Sequence, residues 1–131
     1  MTDHDDALYL TYITEAAARI EQSATIRGRR ALSEDDELRD ATIYRLQTLA
    51  ESTQRLSPSL KAAHPDIPWD DIAGFRNRAV HGYLGINLDI VWDIIEHDLS
   101  NLARVASAEL AQRRQPEQAT HELGDDLGNE L

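Results

Sequence analysis

The chain contains no cysteine, which excludes a disulfide scaffold, a Cys-ligated zinc module and a thiol nucleophile. Lysine is nearly absent too: of 13 basic residues, only Lys61 is not arginine. Aromatic residues make up 5% of the chain, too few for an extended base-stacking platform. No apolar run approaches the ~18–20 residues of a membrane span, and no charged-then-apolar leader pattern opens the sequence. Positive charge is scarce overall, with 13 Lys and Arg against 24 Asp and Glu and a net charge of −11. That balance argues against a protein that coats nucleic acid without specificity. What remains is 131 residues with 41% hydrophobic content, enough for one modest core, and the expectation of a soluble, cytoplasmic, single-domain protein with no membrane contact.

The acid is concentrated at the end. Residues 116–131 hold five acids (Glu117, Glu122, Asp125, Asp126 and Glu130) with no Lys or Arg, and their lack of apolar periodicity predicts a disordered tail behind a helical domain over 1–115. Within that domain the pattern is helical throughout. Tyr9, Ile13, Ala16, Ala17, Ile20 and Ala24 recur at steps of three and four, predicting a helix from about Asp5 to Thr25 that stops near Gly28. Arg27-Gly28-Arg29-Arg30 reads as a basic loop, and Ser33 as the N-cap of a second helix carrying Leu46, Leu49, Ala50, Thr53 and Leu56. A short helical turn is expected at Ser59–Ala63. His64-Pro65-Asp66-Ile67-Pro68-Trp69 is a stiff connector, since each proline forces its predecessor out of the α region. A third main helix follows from Trp69 to about His81, then a loop between Gly82 and Gly85. The last helix, capped by Asn87, carries Leu88, Val91, Trp92, Ile95, Leu99, Leu102 and Ala106 to about Arg114. The expected fold is an all-α, antiparallel four-helix bundle with an extra short helix.

One segment departs from this pattern of core and solvent: Phe75-Arg76-Asn77-Arg78-Ala79-Val80-His81-Gly82-Tyr83. A guanidinium offers forked donors to phosphate oxygens, and an imidazole moves protons near neutral pH. Together they suit a phosphodiester whose attacking group is an RNA 2′-hydroxyl, a reaction that needs neither metal nor covalent protein intermediate. Arg76 and His81 lie five residues apart, ~140° around an ideal helix, so they meet only if the last turn before Gly82 loosens. The plainer reading is a histidine complementing the helix dipole and two solvated arginines.

Residues 39–99 resemble the HepT-like branch of the HEPN superfamily, small all-helical proteins of prokaryotic toxin–antitoxin systems. The likeness rests on Ala41-Thr42-Ile43-Tyr44-Arg45-Leu46, on the His64–Trp69 connector, on the Arg76-Asn77…His81-Gly82-Tyr83 signature, and on Ile90-Val91-Trp92-Asp93-Ile94-Ile95. It implies a metal-independent endoribonuclease without cofactor, acting as a homodimer. Arg76 would bind the scissile phosphate, His81 would be the acid/base, and Asn77 would orient it or bind phosphate. Arg78 is a candidate RNA contact. The resemblance also implies a type VII-like system in which an MntA-type nucleotidyltransferase antitoxin transfers AMP to Tyr83.

Other groupings carry less. Asp89, Asp93 and His97 share a helix face but read as its solvated side rather than a metal site. Trp69 and Trp92 read as core or interface anchors, and Arg27–Arg30 as a solvated turn that could also touch RNA. A rival function fits the acidity: a non-catalytic helical module that holds a nucleotidyltransferase or binds a nucleotide.

Overall fold

The computed structural model describes residues 3–82 and 85–113; Tyr83 and the acidic segment 116–131 lie outside the described residues. Within them the fold is all-helical, as expected, without strands. Helix α1 spans Asp3–Ile20 and runs on through a π-helical turn at Glu21–Thr25. Next come α2 (Arg29–Glu34), α3 (Asp36–Gln54), α4 (Pro58–Ala63) and α5 (Trp69–His81). Helix α6 opens as Leu88–Asp93, passes through a second π turn at Ile94–Asp98 and stays helical to residue 113.

Helix α3 is central, packed against α1 on one side and α5 on the other. Ile13, Ala17, Ile20 and Ala24 of the first stripe are buried, as are Leu46, Leu49, Ala50, Thr53 and Leu56, and Val91, Ile95, Leu99, Leu102 and Ala106. Burial of three such faces against one another drives the assembly. Trp69 fixes the start of α5 by donating its indole N–H to the carbonyls of Lys61 (3.1 Å) and His64 (3.0 Å).

Two local expectations change. The cap of α3 is Asp35 rather than Ser33: its carboxylate accepts from the Leu38 N–H at 3.1 Å. Ser33 instead belongs to α2, which is wound directly after Gly28, the one residue with positive φ (+93°) among those described. The basic stretch is therefore the end of the first helix (Arg27), a break at Gly28 and the start of α2 rather than a loop, and its cations are matched: Arg27 to Asp35 (2.9 Å), Arg30 to Glu34 (2.9 Å), and Arg29 to Asp89 at the start of α6.

At the opposite end, a polar cluster joins the start of α1, the two caps of α4 and the end of α6. The Asp6 carboxylate is fully buried; it accepts from the Ser57 N–H (2.8 Å) and hydroxyl (2.6 Å) and faces Arg113 at 3.4 Å. Glu109 pairs with Arg113 and, at 2.6 Å, with His64 Nε2. Asp6 lies four residues before Leu10 and seven before Ile13, so its place on the core stripe was readable; its partners, 51 and 107 residues away, were not.

Candidate active site

Helix α5 keeps Ile72, Phe75 and Ala79 in the core, which fixes where the signature residues project. Asn77, Arg78 and His81 are exposed, while Arg76 is half-buried. The last turn remains helical, with the Gly82 N–H donating to the Arg78 carbonyl at 2.8 Å. Arg78 and His81 sit in that turn, where cations complement the helix dipole.

The two arginines go different ways. Arg76 turns to α3: its guanidinium lies 3.7 Å from Glu51 Oε2 and donates to Asn77 Oδ1 at 3.4 Å, while its Nε is buried without a hydrogen-bond partner. Arg78 folds back over its own helix, close enough that a Cβ on Gly74 would lie 3.6 Å from its Nη1. Arg78 and His81 border an open cavity of about 430 Å³ between the end of α5 and the start of α6, with Phe75, Ile86 and Ile90 as its apolar lining and Asn87 at its edge. Arg76 does not line it. One chain thus gathers the imidazole and Arg78 at a cavity that Arg76 does not line, and pairs Arg76 with Asn77 and with Glu51 of α3. Val80, 43% exposed, and Ile90, 37% exposed, add bare apolar surface beside this end of α5.

Glu51 was not legible as part of this constellation. It is a surface carboxylate on α3, also 3.6 Å from Arg55, and only the packing of α3 on α5 gives it Arg76. Asp89, from the acidic face of α6, is engaged by Arg29. No helix among the described residues is long and apolar enough to cross a membrane.

Comparison with known proteins shows the family. The family of ribonuclease HepT-like proteins matches residues 13–109. The chain is 29% identical over 99 residues to the "Probable ribonuclease HepT" of Thermococcus cleftensis, covering 72% of this chain and 86% of that protein. It is 30% identical over 70 residues to a candidate RNase of Caldanaerobacter subterraneus (53% and 62% of the two chains). It is 31% identical over 67 residues to a candidate RNase of Methanocaldococcus jannaschii (51% and 55%). The chain thus spans less than two thirds of the length of these last two relatives. No solved structure matches. With three quarters of its length matched, signature helix included, the chain belongs to the ribonuclease HepT-like family.

Proposed function

We propose that this protein is a metal-independent endoribonuclease, the toxin of a toxin–antitoxin pair, acting through Arg76, Asn77 and His81. The observation that carries the reading is the exposed imidazole of His81 beside Arg78 at an open cavity, one turn beyond the Arg76–Asn77 pair. His81 takes the proton from the RNA 2′-hydroxyl as its oxygen bonds to phosphorus, and a proton returns to the 5′-oxygen as the P–O bond to it breaks. Arg76 neutralises the charge growing on the phosphoryl oxygens, and Arg78 holds the adjoining strand. Since Arg76 does not line the cavity that His81 borders, the complete site takes two: a homodimer apposing two α5 ends, over the bare Val80 and Ile90, sets one copy's guanidinium near the other's imidazole.

Control falls on Tyr83, two residues beyond His81. A partner nucleotidyltransferase joins the tyrosine oxygen to the α-phosphorus of ATP with loss of pyrophosphate. The added phosphate and nucleoside then occupy the arginines in place of RNA.

The test is cleavage of a labelled RNA by purified protein. His81→Ala and Arg76→Ala are expected to lose ~10²–10⁴-fold in rate, with the wild-type rate unchanged by chelator. Intact mass after co-expression with the adjacent nucleotidyltransferase gene should rise by whole AMP units, absent in Tyr83→Phe. Full activity in both alanine variants overturns the site, and an adduct on another tyrosine overturns the control. The acidity and the ion-paired Arg27, Arg29 and Arg30 favour the second reading, a non-catalytic module for the same partner, which predicts no cleavage at all.

A further inference from the structure

The α1–α3 face, across α3 from the signature helix, carries a second constellation. Small side chains at Ala16 and Ala41 leave an open trough of about 460 Å³ between the two helices. Tyr12 and Tyr44 border it, 49% and 64% exposed. Half of the protein's tyrosines thus lie bare along one groove. Tyr12 is braced in place by the edge of Tyr9, with ring centroids 6.2 Å apart at 70°, and Arg55 stacks over Tyr9 at 5.9 Å.

Arg19 and Arg45 border the same trough. Arg27, Arg29, Arg30, Arg39, Arg55, Arg76 and Arg113 each face a carboxylate. Arg19 and Arg45 have no such partner among the described residues, and Arg45 makes only a 3.4 Å bond to the Ser23 hydroxyl. Glu15 is the trough's one carboxylate, and it pairs with neither. In a chain with nearly twice as many acids as bases, two acid-free guanidiniums beside two bare phenols are unusual chemistry for a merely solvated face.

We propose that this trough binds single-stranded RNA outside the cleavage site, with unpaired bases on Tyr12 and Tyr44 and backbone phosphates on Arg19 and Arg45. Phenol faces stack on any base, and guanidiniums neutralise phosphates without regard to sequence. The inference rests on the proposed nuclease activity for the identity of the polyanion, and it explains how so acidic a protein holds its substrate: attraction is concentrated where two arginines have no carboxylate partner.

The experiment is fluorescence anisotropy with a labelled, unstructured twenty-nucleotide RNA, titrated at several salt concentrations. His81→Ala serves as background so that RNA stays intact. Adding Tyr44→Ala should weaken binding about 5- to 100-fold, Tyr44→Phe should keep it, and Arg45→Gln should lower the slope of log affinity against log salt by about 0.7. All are exposed or half-exposed positions, so unfolding is excluded by an unchanged circular dichroism melt. Equal RNA affinity with and without Tyr44→Ala overturns the proposal while leaving His81-dependent cleavage standing. Failure of the background protein to bind any RNA overturns it together with the nuclease reading. A change of oligomeric mass in Tyr44→Ala, with RNA affinity intact, overturns it in favour of an interface between copies.

Discussion

Asp6 shows what a single buried carboxylate costs and returns. Its desolvation is offset only because two Ser57 donors and Arg113 meet it. Asp6→Ala would strand the buried Ser57 N–H and take one of two carboxylates from Arg113, a loss of about 2–3 kcal/mol, and the thermal midpoint should fall by about 10 °C. A shift of only a degree or two would show the cluster to be ornamental. Next to it, burial works to raise the Glu109 pKa, but the bonds from His64 and Arg113 outweigh burial and hold it below the ordinary value of 4.5. A carboxylate depressed in the folded state stabilises fully above its unfolded value and loses that contribution as pH falls through the folded value. Calorimetry from about pH 5 downward should show stability falling, and Glu109→Gln, less stable at neutral pH, should show a shallower fall. Asp98 has the opposite sign. Burial first, then the nearby charges of Asp71 and Asp93, raise its pKa against the pull of His97. Its ionised form is a liability above the folded value, so Asp98→Asn should raise the melting temperature at pH 7 and cease to do so in acid.

Between residues and the bundle stand the joints that separate helices. Gly28 holds φ at +93° with open space where a Cβ would sit, so a substitution there meets backbone strain alone. Gly28→Ala should cost about 1 kcal/mol, whereas Gly85→Ala, with neither positive φ nor a contact, should be close to neutral in the same melt. The joint also shows why Ser33 misleads. Ser-Glu-Asp-Asp fits a helix start at several registers, and a short-range hydrogen bond selects Asp35 once Gly28 has begun α2 two turns earlier. The two π turns were invisible for a related reason. An added residue in a helix changes no local propensity, and only the fit of the flanking stripes to α3 reveals it.

For the whole molecule, the prediction is assembly. Under the proposed mechanism, Arg76 on the α3 side and His81 at the α5–α6 cavity come from two copies of the chain. Light scattering at micromolar concentration should give twice the chain mass, and Val80→Asp should lower both that mass and RNA cleavage. A catalytically active monomer would contradict the shared site.

Periodicity alone determined much of this protein. Three apolar stripes at helical spacing, interrupted by Gly28, Pro58, Pro65 and Gly82, define the helices and the all-α class, because burial of one face per helix is written in every third and fourth residue. The signature and its connector were legible only through the family resemblance they carry, being contiguous in the chain. Tertiary structure decided the rest. It pairs Arg29 with Asp89, Asp6 with Arg113 and Arg76 with Glu51 across separations that no local pattern encodes. It also turns two arginines two residues apart toward different neighbours. Charges reach their partners only after the core has set the angles between helices, so the electrostatic layout follows from packing.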